Sequence, residues 1–462
     1  MIGIRSNFTE GRAWPKNIFW IVILAFTLRI AVRWHSGEAD FWTNGYTFYF
    51  DLARNIAAGK GIAFDGTPIA FRVPLYPIFL AVLTFGQREF LPVLVAESLI
   101  GAGTVWCAAL ITRELFGNAA ATIAAFITAL YPYYIVHDTA LQETSLYTFL
   151  TALAVLLLMR VRGNGSAAMA VCAGLTLGAA VLTRANLAPF AVLAPLWLVV
   201  RPRSNALLWQ RGFWTCLLCA CAMSLTVSPW LARSYLLTGS PTLGTESGYS
   251  LWEANNSNTF SHYPIESIDL SAKVAFAALS PQKRAEIEAL GPNEAAIDQW
   301  FLRQGLDYMR GHPWETLVNG VRKLGAAFCL LPSPRRGFWP NLVYFLSYTP
   351  LMVFGILGMW IGRSNWREHL IFYALFATFI GVTAVFYGHT NSRTYLDLYW
   401  IVFAAGLLEQ KLANSREPII DEKRIDTRRP ALRHYSLFDL FPAGERDEFN
   451  SPYLKYQFVG SQ

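Results

Sequence analysis

About ten long apolar runs, each close to the roughly 20 residues a helix needs to cross a bilayer, divide this chain and push its charges into the gaps between them. Phe19–Val32, Leu342–Ile361 and Leu370–Tyr387 are typical. Inside hydrocarbon the backbone must satisfy its own hydrogen bonds, so runs of this length fold as helices. Only 15% of the 462 residues are charged, against about 25% in an ordinary soluble domain. The expectation is an all-α polytopic membrane protein with spans at residues 17–34, 90–112, 119–136, 142–160, 167–184, 187–201, 212–230, 342–361, 369–387 and 394–411.

Orientation follows from basic residues in the short loops. Arg5, Arg12 and Lys16 precede the first span, and Arg113, Arg160, Arg162, Arg201, Arg203, Arg211, Arg363, Arg367 and Lys411 flank later ones. With ten crossings all of them fall on one side, which makes both termini cytoplasmic. The polar segments 33–89 and 231–340 then share the outer side, on residues 1–411, and 412–462 form a flexible cytoplasmic tail. The formal charge of +7 suits cytoplasmic loops and anionic headgroups, and no basic stripe with interleaved aromatics suggests nucleic acid. The first run lacks a cleavage site and reads as a retained helix. Cys216, Cys219 and Cys221 have no histidine or acid beside them, so they read as small residues in a membrane helix.

Neither outer segment is a plain loop. Tyr46, Tyr49, Phe50, Ala53, Ile56 and Ala57 recur at helical spacing, which predicts an amphipathic helix on the membrane surface that ends at Gly59 and Gly61. Leu75–Phe85 is apolar but too short to span, hence interfacial or re-entrant. The second segment holds a charged, helix-like stretch over Lys273–Arg310, and Pro313–Leu331 suits an interfacial helix.

Two sets of outer residues can carry chemistry. The carboxylates are Glu38, Asp40, Asp51, Asp138 and Glu143, with Asp51 about 140° from the Tyr46 stripe. The arginines are Arg72, Arg184, Arg233 and Arg393, each at the outer end of an apolar run. Snorkelling explains a terminal arginine by itself, whereas four reaching one face suggest a phosphate site at the lipid boundary. Together the sets suggest transfer of a sugar from a polyprenyl phosphate. That leaving group needs no general acid. Cations must hold the phosphate, and a carboxylate must take the proton of the acceptor hydroxyl. Attack from the opposite face inverts the anomeric centre. No phosphate-cradling glycine loop or nucleotide fold is present.

Arg72-Val73-Pro74-Leu75-Tyr76-Pro77, with Leu52–Gly61 before it, resembles the R-x-P-L-Y-P region of the GT-C, family-39-like membrane glycosyltransferases that use polyprenyl-phosphate sugars. Thr139–Phe149 with Glu143, Ala179–Asn186 with Arg184, and Ser228-Pro229-Trp230-Leu231-Ala232-Arg233-Ser234-Tyr235 are similar to further motifs in the family's order. The resemblance implies a GT-C-like fold, with amphipathic helices in the first outer loop and a large outer loop after the seventh helix. It also implies a catalytic acid in the first outer loop. Asn44 and Gly45 stand nearest that position, so Asp40 is the substitute, with Glu38 and Asp51 behind it. By the same resemblance Arg184, Arg233 and Arg393 face the donor phosphate, and Trp252, Glu253 and Asn256 face sugar or acceptor; Arg72 is a further candidate for the phosphate, and Tyr76 and Glu143 for the substrate.

The partners expected are therefore a polyprenyl-phosphate sugar, a cell-envelope glycan, lipid or protein as acceptor, and membrane lipid. His35, His137 and His389 form no pair at ligand spacing, and the resemblance implies a metal-independent enzyme, so no metal or other cofactor is expected. The expected location is the bacterial inner membrane, with a periplasmic site. A transporter or flippase of lipid-linked saccharides, using deep charges such as Arg29 and Glu97, is the alternative from another class. A related glycan polymerase and an inactive scaffold are the others.

Overall fold

The structure is a computed structural model that describes residues 15–43, 47–64, 66–200 and 206–416. Tyr46, Asn44, Gly45, Arg5, Arg12, Arg201, Arg203 and the tail beyond 416 lie outside the described residues. In chain order come α1 (Lys16–Ser36), α2 (Glu38–Thr43), α3 (Thr47–Ala57), α4 (Leu75–Thr84), α5 (Phe90–Phe116), α6 (Asn118–Leu130), α7 (Pro132–His137), α8 (Thr144–Asn164) and α9 (Ala167–Val181). They are followed by α10 (Ala188–Leu196), α11 (Ala206–Thr238), α12 (Ser247–Ala254), α13 (Ile268–Ala277), α14 (Pro281–Ala289), α15 (Glu294–Gly311), α16 (Pro313–Ala327), α17 (Phe338–Ile361), α18 (Trp366–Val385) and α19 (Thr394–Arg416). A two-strand hairpin, β1 (Ala63–Phe64) and β2 (Thr67–Pro68), pairs Ala63 with Pro68 and Phe64 with Thr67.

Among the described residues, Lys16–Ser36, Phe90–Phe116, Thr144–Asn164, Leu207–Thr238 and Phe338–Val385 are long and apolar enough to cross a membrane. Their outward faces carry large apolar side chains: Trp20 on α1 is 66% exposed and Leu225 on α11 is 71% exposed. Lipid is the solvent that makes such a surface stable. At the centre lies α19, where every residue from Tyr395 to Leu407 is buried, the pattern of a helix enclosed on every side.

The expected spans differ from the helices in instructive places. The third is broken, because Pro132 removes a backbone donor and forces Tyr131 into an extended conformation. The seventh is longer than expected: α11 continues to Thr238, so Arg233 sits inside a helix rather than in the following loop. Lys273–Arg310 is three helices, the second and third opened by side-chain caps from Ser280 and Asn293. The amphipathic helix appears as α3, with Tyr49, Phe50, Leu52 and Ala53 buried, and Gly59 and Gly61 follow it at φ +74 and +70.

Close packing of α9 on α11 depends on Gly174 and Gly178, one turn apart. A Cβ at Gly174 would lie 2.2 Å from the Cys219 carbonyl oxygen, and one at Gly178 would lie 2.6 Å from Thr226 Cβ. Glycines spaced this way let two membrane helices touch through their backbones. Gly174→Leu is therefore expected to destabilise the protein by about 1–3 kcal/mol or more. Gly325→Ala, where a Cβ meets nothing within 4 Å, should leave stability unchanged or slightly higher. Thermal unfolding in detergent compares the two.

Helix ends identify two opposite faces. At one, Arg160 on α8 pairs with Glu114 on α5 at 3.0 Å. There too Arg162 pairs with Glu368 on α18 at 3.0 Å and donates to the Trp197 carbonyl. The other face collects the start of α8, the ends of α9 and α11, and the two outer segments. Contacts that fasten it include Leu75 N–H to the Leu182 carbonyl, Ala70 N–H to Glu294, and Thr245 to Glu294.

Candidate active site

Glu143 is the residue just before α8, and Arg184 follows the end of α9 in an extended conformation. That placement brings the two side chains together: Arg184 Nε donates to Glu143 Oε1 at 2.8 Å and Nη2 to Thr144 Oγ1 at 3.0 Å. The guanidinium also lies over the Tyr147 ring, 5.3 Å from its centre. A carboxylate at a helix N-terminus further gains from the aligned peptide dipoles.

Arg72 enters from the first outer segment, on the turn that Pro74 ends before α4. Its Nη1 donates to the Tyr49 hydroxyl at 3.1 Å, and its Nε pairs with Glu246 at 3.1 Å. Burial lowers the guanidinium pKa, but the Tyr49 oxygen, Glu246 and Glu143 more than reverse this and raise it. Burial raises the Glu246 carboxyl, with Arg72 opposing. Both arginines are within electrostatic reach of Tyr49 and of Glu143, so Arg72, Arg184, Glu143, Tyr49 and Glu246 form one charged cluster. Behind it, Tyr76 sets its ring edge-on to Tyr49 at 5.2 Å and donates to Glu97 at 2.6 Å.

Glu253 on α12 faces this cluster and is 3% exposed. Burial, then Asp269 and Glu246, push its carboxyl up to about 8, with Arg72 and a hydrogen bond from Tyr387 acting the other way. Trp252 and Asn256, its neighbours in the expected site, are engaged elsewhere. Trp252 packs on Phe301 at 4.9 Å, and Asn256 donates to the Trp252 and Glu253 carbonyls.

The remaining expected residues each have their own partners. Asp40 accepts from Arg33 at 2.5 Å, Glu38 from the Trp42 indole at 3.2 Å, and Asp51 pairs with Arg54 on the exposed side of α3. Arg233 donates to the Ile69 and Ile62 carbonyls at 2.9 and 2.8 Å, fastening the hairpin to α11. Arg393, fully buried, pairs with Asp397 at 3.2 Å, donates to the Tyr344 hydroxyl and lies over the Tyr348 ring. The structure thus brings Arg72, Arg184, Glu143 and Glu253 to one place, with Tyr76 behind them, while Asp40, Asp51, Arg233 and Arg393 make separate contacts. Sequence reasoning missed Glu246 and Tyr387, and it took Tyr49 only as an apolar stripe residue. Nothing in their local spacing marks them, since their partners are distant in the chain.

A model of the family described as dolichyl-phosphate-mannose-protein mannosyltransferase matches residues 72–231. That stretch opens on Arg72 and contains Glu143 and Arg184, so the match covers about a third of the chain and includes these expected site residues. No curated protein matches the chain. Among solved structures, the apo oligosaccharyltransferase of Archaeoglobus fulgidus is 16% identical, with a TM-score of 0.50, covering 87% of this chain and 52% of that one. The oligosaccharyltransferase AglB of the same organism, in complex with an inhibitory peptide and a dolichol-phosphate, is 15% identical (TM-score 0.48; 92% and 53% covered). ArnT from Cupriavidus metallidurans bound to undecaprenyl phosphate is 14% identical (TM-score 0.38; 86% and 79% covered). The chain spans about half the length of the oligosaccharyltransferases it matches. At these identities the likeness is one of fold: a polytopic, GT-C-like helical membrane protein.

Proposed function

We propose that this protein transfers a sugar from a polyprenyl-phosphate-linked donor to a hydroxyl of a cell-envelope acceptor, with inversion, on the periplasmic face of a bacterial inner membrane. The observation that carries this reading is the Arg72–Arg184 pair. Two arginines from distant segments are held in one charged cluster by Glu143, Tyr49 and Glu246, between interfacial helices and helix ends. Guanidinium groups stay charged at a lipid boundary and bind phosphate oxygens in pairs. As the bond to the sugar breaks, the phosphate gains charge, and these groups are already oriented to stabilise it. Helices α3 and α4 flank the cluster, which lets a prenyl chain approach from the bilayer while the acceptor arrives from water. The other face carries Arg160, Arg162 and Arg367, as a cytoplasmic face does.

A carboxylate takes the acceptor proton. Asp40, with Glu38 and Asp51 behind it, is the choice from resemblance, and the geometry adds Glu253. Arg233, bonded to the Ile62 and Ile69 carbonyls, and Arg393, paired with Asp397, brace the elements around the cluster.

Incubating the purified protein with polyprenyl-phosphate sugars and cell-envelope acceptors tests the proposal by the appearance of a glycosylated acceptor. Arg72→Ala is expected to lower kcat/KM roughly 100-fold, with Arg72→Lys in between because it keeps the charge but loses the planar two-point contact. The transporter reading has buried charge in its favour: Arg29 and Asp138 pair at 2.8 Å inside the bundle, beside Glu97. Movement of the lipid-linked sugar across liposomes without covalent transfer would select it instead.

A further inference from the structure

Among the described residues, five carboxylates are buried: Glu97, Asp138, Glu143, Glu253 and Asp397. Three of them are tied to an arginine, Asp138 to Arg29, Glu143 to Arg184 and Asp397 to Arg393. Glu97 lies two turns into α5 and accepts from Tyr76, behind the cluster. Glu253 remains. Among the described residues it has no ion-pair partner, it belongs to the outer segment, and Arg72 of the cluster lies within electrostatic reach of it. Seven residues, close to two helical turns, separate it from Glu246, so both point to the same side of α12, and Glu246 is the residue that holds Arg72. Tyr387, just after α18, reaches it with a hydrogen bond.

We infer that Glu253 is the base that receives the acceptor proton. This rests on the transfer reading above and names the residue which that reading leaves open. The hydroxyl oxygen of the acceptor attacks the anomeric carbon, and the bond from that carbon to the phosphate oxygen breaks. The bonding electron pair leaves with the polyprenyl phosphate. The hydroxyl proton passes to a Glu253 carboxylate oxygen, which ends the step as a neutral acid. A carboxylate locked to a guanidinium is a weak base. A buried one facing other acids holds a proton more firmly and accepts it more readily. The first-loop acids lack that setting, since Asp40 has Arg33 and Asp51 has Arg54.

The groups facing Glu253 set the direction of its pH dependence. Asp269 on α13, Glu246 at the start of α12 and Tyr249 on α12 itself disfavour its charge or share its field. Asp298 on α15 binds the first backbone N–H groups of α12, and Arg72 and Tyr387 favour the carboxylate. The base must be ionised to act, so transfer should rise with pH up to about 8 and fall below it.

The test uses the full chain in detergent, a polyprenyl-phosphate sugar and an envelope acceptor, with Glu253→Gln, Glu253→Asp and Asp40→Asn beside the wild type. Glu253→Gln is expected to lose roughly 100-fold or more in kcat and to lose the acid limb, while the donor Kd moves less than about threefold. Glu253→Asp should recover part of the rate. Infrared difference spectra of the wild type should show a carboxyl band titrating near pH 8, a readout that needs neither turnover nor a folded variant. The assignment is overturned if Glu253→Gln keeps more than a tenth of the rate, if Asp40→Asn loses more than it does, or if no such band exists, and the transfer reading then stands. A wild type that binds donor and transfers nothing overturns both.

Discussion

Replacing Arg184 with alanine is expected to destabilise the bundle and stop sugar transfer together. Glu143 is 5% exposed, and Arg184 is its ion-pair partner. Removing one member of a buried pair strands the other charge, at a cost of about 3–5 kcal/mol. Thr144 and the face of Tyr147 lose a contact in the same step. Transfer should fall roughly 100- to 1000-fold, the usual loss when a preorganised donor to a developing anion is removed. Two effects from one substitution need separating. Arg184→Met with Glu143→Leu removes both charges and fills similar volume, so thermal unfolding in detergent should recover most of the lost stability while transfer stays low. A double variant that regained both would reduce the pair to a structural role. Arg184→Lys, which keeps charge but cannot reach Glu143 and Thr144 with one planar group, should fall between the wild type and Arg184→Ala.

That pair also shows what a sequence can and cannot reveal here. Glu143 and Arg184 are each visible in the sequence, one as an acid entering a span and the other as a cation leaving one, but nothing local pairs them. Their contact crosses 41 residues and depends on α8 and α9 running antiparallel with their outer ends level. Apolar run length was enough to place the helices of the bundle, because lipid leaves the backbone no other choice. It could not end them correctly. Pro132 cut one span short, and α11 ran past its apolar core to Thr238, carrying an Arg233 that bonds backbone carbonyls. Arg233 illustrates the limit best. An arginine at a helix end signals anion binding or snorkelling with equal force, and the hairpin carbonyls that occupy it come from a segment with no recognisable pattern. Glu246 and Tyr387 carried no local signal at all, since what makes them matter is Arg72 in one case and Glu253 in the other.

Replacing Arg393 with methionine should produce the second large effect, of a different kind. Arg393 and Asp397 stand one turn apart at the start of the central helix α19, and their side chains are 0% and 1% exposed. Tyr131 donates to Asp397 at 2.9 Å, while the guanidinium donates to Tyr344 and lies over the ring of Tyr348, both on α17. The pair therefore joins α19 to the end of α6 and to α17, at the centre of the protein. Arg393→Met leaves Asp397 buried without its cation, and a loss of about 3–5 kcal/mol is expected in thermal unfolding. Adding Asp397→Leu should return most of that stability, because well-packed apolar groups replace a buried ion pair at little cost. Donor affinity then tells bracing from phosphate binding. Because the guanidinium is fully buried against Asp397, Tyr344 and Tyr348, the double variant is expected to bind polyprenyl phosphate within about threefold of the wild type. A tenfold weaker Kd in a stable double variant would return Arg393 to the phosphate site that its place in the sequence suggested.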